Sequence, residues 1–171
     1  YSSVSGKVKS ITDITSNSGA IVKAIKIESD GNMTADPSIA PPTVTNKEEF
    51  IDAVKKSGIV GLGGAGFPSY VKFSIPEGKN ADVLIINGAE CEPLLRVDQQ
   101  VMQVYAAEVV RGIRAVKEAT QAKYAVICLK EHYHDAVKAL QAVLKDAEDV
   151  QIHLLEAYYP AGDEQQLVYE V

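Results

Sequence analysis

The chain has 171 residues, 46% hydrophobic and 23% charged, with 17 basic against 23 acidic side chains and a formal charge of −6. That length suits one domain with a real core plus a small satellite, and the acidic balance argues against a nucleic-acid binder. A small anion held locally by backbone N–H groups and one lysine stays compatible with it. No apolar run approaches the ~20 residues a membrane-spanning helix needs, and no secretory signal heads the chain, so direct membrane insertion is not expected. Two cysteines, Cys91 and Cys128, with no CxxC, disfavour a disulfide framework or a structural metal site and point to the cytoplasm. An iron–sulfur cluster within this span is excluded, because it takes about four thiolates.

In chain order, KVKSI and AIVKAIKIE read as two short strands around the turn TSNSG, the second half-buried by its alternating isoleucines. This is the remnant of a small β module over 1–36. The proline-rich DPSIAPPT marks a linker over 37–45. A helix is expected to begin near Thr45 or Asn46, with Glu48 and Glu49 in its first turn, and to stop at Gly58. From residue 81 the pattern becomes regular. ADVLIIN is an apolar strand. DQQVMQVYAAEVVRGIRAVKEAT is one helix with Val101, Tyr105, Val109, Ile113 and Val116 on one face. KYAVICL, DAVKALQAVL and VQIHLLE continue as strand, helix and strand. Strands alternating with helices, each strand apolar throughout, define an α/β fold with a parallel sheet covered on both sides. Both termini read as cut, so the α/β domain over 46–171 is expected to be C-terminally truncated.

Ligands of such sheets gather beyond the carboxyl ends of the strands. Here those ends are NGAECEP, KEHYH and EAYYPAGDE. The stretch GIVGLGGAGFPSYVKF holds five glycines, of which Gly61, Gly63 and Gly66 satisfy G-x-G-x-x-G. It follows a helix rather than a strand, so the standard dinucleotide loop is disfavoured. Dense glycine still suits backbone that approaches a ligand closely and lines up N–H groups for an anion, with Lys72 adding a point charge. A tight turn packed on the sheet is the structural alternative. Glu90 and Glu92, at i and i+2 of an extended segment, point to opposite sides and chelate a metal poorly, so no metal site is expected. Asn87 suits a ring edge or a ribityl chain. His132 and His134 do not share a helix face, and no nucleophile elbow is present, so no side-chain catalyst is assigned. Cys128 reads as a core residue. Tyr158 and Tyr159 could stack on a ligand or simply pack.

GLGGAGFPSYVKF followed by LIINGAECEP resembles the flavin-binding part of the RnfC family of electron-transport proteins, and more distantly the complex I 51-kDa flavoprotein. ECEPLLRVDQQ and YYPAGDEQQLVYEV are similar to the branch of that family associated with proline reductase. VSGKVKSI with GAIVKAIKIESDG resembles the shortened barrel-sandwich module that precedes the domain. The resemblance implies a Rossmann-like three-layer sheet of the 51-kDa FMN-binding type. It implies FMN as cofactor and NADH as electron donor or acceptor, with 4Fe-4S clusters only beyond this span. Gly61, Gly63, Gly64, Gly66, Lys72, Asn87, Glu90, Gly162 and Glu164 would then bind the cofactor, and Phe67 and Glu92 the nicotinamide substrate. The implied partners are other electron-transfer subunits or a partner reductase, with any membrane attachment made through them. The sequence departs from the 51-kDa pattern at Leu62, Ala89 and Ile75, where that pattern has arginine, aspartate and a second phenylalanine. Two alternatives stand beside this reading: a flavin-less docking scaffold, and a generic anion-binding α/β domain.

Overall fold

The computed structural model describes residues 2–61, 66–92, 94–145 and 147–171. The chain divides into two compact units, Tyr1–Thr43 and Val44–Val171.

The first unit is a hairpin of β1 (Gly6–Thr15) and β2 (Ile21–Ser29), paired antiparallel with a register shift between Val8 and Ser10. Val8 stands opposite Ile27 and Ile11 opposite Ile25, on the same side as the Asp13–Lys23 ion pair at 2.7 Å. β1 runs longer than the sequence suggests, whereas β2 has the expected length. The half-buried expectation for β2 does not hold within this unit, where Ile21 and Ile25 are largely exposed. The reason is geometric, since two strands alone supply no second layer.

The second unit opens with α1 (Lys47–Lys56). The Asn46 side chain accepts from the Glu49 N–H at 2.9 Å, and the Glu49 carboxylate accepts from the Thr45 N–H at 2.8 Å. These reciprocal bonds satisfy donors that the first helical turn leaves free. A short α2 (Ser69–Phe73) follows, with Phe73 against Phe50 at 5.7 Å between ring centroids. Then come β3 (Val83–Asn87), α3 (Val97–Val104), α4 (Ala106–Thr120), β4 (Tyr124–Lys130), α5 (His134–Leu144), β5 (Val150–Leu155) and α6 (Glu164–Glu170).

The three strands form a parallel sheet in the order β3-β4-β5, with Asn87 level with Cys128 and Lys130 level with Leu155. One face carries α3, α4 and α5, whose Met102, Val110, Ile113 and Leu140 close over Ala125, Ile127 and Leu129. The other face holds Val126, Cys128 and Leu155 beneath Leu167 of α6. The alternation of β4 between these two clusters is the period-two geometry of a strand buried on both sides. Burial pushes the Cys128 thiol up to about 11, in keeping with its place in the core.

The expected long helix is two. Tyr105 sits at φ −117° and ψ 35°, between α3 and α4, while its N–H still reaches the Val101 carbonyl at 2.8 Å. The kink lets α3 lean on α5 while α4 follows β4. It also changes the buried set. Val101 and Tyr105 are exposed, whereas Met102, Ala106 and Val110 turn inward.

Leu140 is fully buried between the helices and the sheet. Leu140→Ala is expected to destabilise the unit by ~2–5 kcal/mol, read as a lowered midpoint of chemical unfolding with the slope unchanged.

Candidate functional site

The carboxyl end of the sheet is built by three turns that the strands deliver to one place. Asn87, the last residue of β3, works in two directions. Its Nδ2 donates to the Gly162 carbonyl at 2.8 Å, and its Oδ1 accepts from the Ala89 N–H at 3.1 Å. The turn after β3 is thereby tied to the turn after β5, across the end of β4. Gly162 makes that approach possible. A Cβ there would lie 2.7 Å from the Ala89 carbonyl oxygen and 3.0 Å from the Cys91 sulfur, so no other residue fits without a shift of backbone.

Glu90 is anchored at both of its polar ends. Its carbonyl accepts from the Lys130 Nζ at 2.8 Å, and its carboxylate accepts from the N–H groups of Asp98 at 3.1 Å and Gln99 at 3.3 Å. The acid thus caps α3, satisfying first-turn donors that Arg96 in the cap position leaves unbonded. Burial raises the Asp98 carboxyl, and the nearby Glu90 charge adds to the shift. Glu92 is exposed on the adjoining turn.

The glycine loop is closed at its base by the antiparallel bridge between Val60 and Pro68 and by the Gly61 N–H donating to the Phe67 carbonyl at 2.8 Å. Gly66 takes φ +60°, a left-handed conformation that favours glycine. Gly63 and Gly64 lie outside the described residues. Lys72 on α2 holds its Nζ 5.9 Å from the centroid of the Phe67 ring, so these two candidates share one corner.

Three of the candidates meet in one cavity of about 740 Å³, where Lys72, Asn87 and Glu164 line a pocket otherwise walled by Ile75, Leu84, Ile86, Leu167 and Val168. Its volume falls in the range of small-molecule sites. A cation, an amide and a carboxylate on an apolar wall suit a planar ring that carries a phosphate, so the donor set fits a flavin mononucleotide. Glu164 is placed by the cap of α6, where the Asp163 side chain accepts from the N–H groups of Gln165 and Gln166. Gly61, Gly66, Phe67, Glu90, Glu92 and Gly162 are not among the residues that line this cavity.

Two residues that hold the site escaped the sequence reading, Lys130 and Asp163. A basic residue ending β4 beside the acid-rich turn, and an Asp followed by EQQL as a capping signature, were the available signals. Tyr158 is engaged elsewhere, donating to Glu170 at 2.6 Å, and Tyr159 is exposed. Among the described residues, no group of three or more His, Cys, Asp and Glu is placed to hold a metal ion. No helix of the described residues is long and apolar enough to cross a membrane.

A parallel α/β sheet with a polar-tipped cavity at the end of its first strand defines a nucleotide- or cofactor-binding domain. Residues 54–171 match the Complex1_51K family, the Nuo51 FMN-binding domain, and the chain belongs to that family. It is 39% identical over 172 residues to the C component of the Na(+)-translocating ferredoxin:NAD(+) oxidoreductase complex of Acetobacterium woodii, covering 98% of this chain and 39% of that protein. It is 44% identical over 117 residues to the cobalamin reductase PduS of Salmonella typhimurium, covering 68% of this chain and 25% of that protein. The NAD+-reducing [NiFe]-hydrogenase in its H2-reduced state superposes with a TM-score of 0.64 at 25% identity, over 73% of this chain and 24% of that one. The chain therefore spans well under half the length of each of these relatives.

Gly162→Ala is expected to cost about 1–3 kcal/mol through the forced contact with Ala89, measurable as a drop in thermal midpoint. Lys130→Met should leave the fold in place while freeing the Glu90 turn. Faster amide exchange at Glu90 and Cys91 is the outcome to look for, and unchanged exchange would mean that the Lys130 bond does not hold that turn.

Proposed function

We propose that this chain is the FMN-holding part of an RnfC-like oxidoreductase that passes electrons between NAD(H) and iron–sulfur clusters outside this span. The observation that carries the proposal is the meeting of Lys72, Asn87 and Glu164 on one cavity at the carboxyl end of β3, in a chain of the FMN-binding family. The names of the Acetobacterium woodii relative and of the hydrogenase, both of which contain NAD+, support the nicotinamide part.

In this reading the glycine loop, with Gly61, Gly63, Gly64 and Gly66, lets its backbone approach the phosphate, with the Gly61 N–H closing the base of the loop on Phe67, and Lys72 supplies the balancing charge. Asn87 and Glu164 orient the ribityl chain and the ring edge from the ends of β3 and α6. Gly162 keeps the turn after β5 close enough for Asn87 to hold it. Phe67 and Glu92 serve the nicotinamide side, and Glu90 fixes the acid-rich turn through its bonds to α3. Bound FMN supplies the chemistry, taking two electrons as hydride and releasing them singly. The chain's own part is to bind, to orient and to exclude water, and no side chain need move a proton.

The domain reading follows the same proposal. The hairpin of 1–36 is a shortened barrel-sandwich module, 37–45 a linker, and 46–171 the FMN/NADH domain. The partners are other electron-transfer subunits or a reductase, in the cytoplasm, with the membrane reached only through them. The resemblance to a cobalamin reductase supports a reductase setting as well as that of an electron-transfer complex.

An anaerobic FMN titration tests the proposal. Quenching of flavin fluorescence is expected, followed by bleaching when NADH is added. Lys72→Ala should weaken binding roughly ten- to a hundredfold, as loss of a charged hydrogen bond does, while Lys79→Ala changes nothing. No quenching by the wild-type chain would sink the flavin reading and favour the docking scaffold. Quenching without bleaching would retain FMN and remove NADH.

A further inference from the structure

α6 has a narrow hold on the sheet. Of its residues, Glu164–Glu170, Leu167 alone is buried. Two turns of helix are too few to stand unsupported in water, so tertiary contacts must fix them. A single buried side chain sets where such a helix sits but leaves its rotation and tilt about that point free. The residues three before and three after Leu167 are Glu164 and Glu170, and helical spacing brings all three to one side. Glu164 lines the cavity together with Leu167 and Val168. Glu170 stands ~9 Å further along the axis, by the rise per residue.

Two partners meet Glu170 there. The Tyr158 hydroxyl donates to its Oε1 at 2.6 Å, and its Oε2 stands 3.4 Å from the Nε2 of His153. His153 belongs to β5, and Tyr158 to the turn that follows it. A carboxylate held from two separate points on the sheet side removes the rotation that Leu167 leaves open. The Tyr158 bond above all, with the His153 contact behind it, keeps the Glu170 carboxyl below the usual carboxylate range. The other titratable groups close to this clasp are Glu156, beside Tyr158, and Cys128, level with His153 on β4. Burial keeps the Cys128 thiol protonated, so it brings no charge of its own. His153 and Glu170 are both partly exposed, where water and salt weaken such contacts, so the use of the clasp is geometric.

We propose that Glu170 is a positioning residue for the cofactor cavity: clasped by Tyr158 and His153 at one end of α6, it fixes the helix about Leu167 and so sets where Glu164 stands at the other. None of Tyr158, His153 and Glu170 lines the cavity, so the clasp acts on it only through α6. The consequence for flavin affinity rests on the proposed FMN site, whereas the hold on α6 and on Glu164 does not.

Two measurements without flavin test the clasp. Glu170→Ala and Tyr158→Phe should each speed amide exchange at Leu167 and Val168 roughly three- to tenfold, with Ile127 and Leu129 in the core of β4 unchanged. Both variants should also move the carbon resonance of the Glu164 carboxyl. Glu170→Gln, which keeps an acceptor for the Tyr158 hydroxyl, should restore much of each signal. Tyr158→Phe removes a single oxygen and decides the matter if Glu170→Ala fails to fold. A Glu164 resonance that stays put in Tyr158→Phe, or unchanged exchange at Leu167, would overturn the proposal whether or not FMN binds. An FMN titration then tests the consequence. Glu170→Ala should weaken binding roughly three- to tenfold in the wild-type background and add nothing in a Glu164→Ala background, because it acts through Glu164. Equal losses in the two backgrounds would overturn that route, and a wild-type chain that binds no FMN would sink the flavin reading alone.

Discussion

Residues Ala125 to Leu129 of β4 are almost wholly removed from water, and burial of this strand on both faces constrains nearly everything around it. A strand that exposes neither face must have neighbours on both flanks and helices above and below. β3 and β5 supply the flanks in parallel register, α3, α4 and α5 one cover, and α6 the other. The three strands then end at one level, and their exits must turn within a few residues of one another. The turns are where polar side chains can stand without being buried, so the chemistry collects there.

The bonds among those turns are few and each has a distinct task. Asn87 joins the exits of β3 and β5, Lys130 holds the exit of β3 to that of β4, and Glu90 carries the same exit onto α3. None of these side chains belongs to the apolar core. Together they convert three independent strand ends into a single rim, with the cavity on the β3 side of it. The kink at Tyr105 contributes as well, because it allows α3 to start beside Glu90 while α4 keeps its contact with the sheet.

Much of this was legible from residues alone. Apolar runs at VLII and YAVICL marked two of the strands because a doubly covered strand tolerates nothing else, VQIHLL with its alternating Ile152, His153 and Leu154 marked the third, and the cap at Asn46 followed from the spacing of polar residues before an amphipathic segment. The placement of Asn87, Gly162 and Glu164 near one another followed from the rule that parallel strands end together. What was not legible depended on tertiary geometry. The break at Tyr105 leaves no proline or glycine in the sequence to announce it. Glu90 reads as a ligand acid by its position in the acid-rich turn, but the start of α3 lies within reach and takes up both carboxylate oxygens. The hairpin isoleucines look half-buried by alternation, and alternation cannot say whether a second layer exists to cover them.

The capping of α3 by Glu90 also bears on the electrostatic potential at the rim. The protein carries a net negative charge, and NGAECEP places two carboxylates beside a region suited to an anion. One of the two is neutralised in place, since its oxygens sit against the positive end of a helix dipole and two N–H groups. The local field beside the cavity is therefore shaped by Lys72 and Glu164, which line it, and by the exposed Glu92, more than by Glu90. Capping a helix with one acid in this way lowers the repulsion an anion meets at the rim, and the long-range repulsion that remains is the part that dissolved salt would screen.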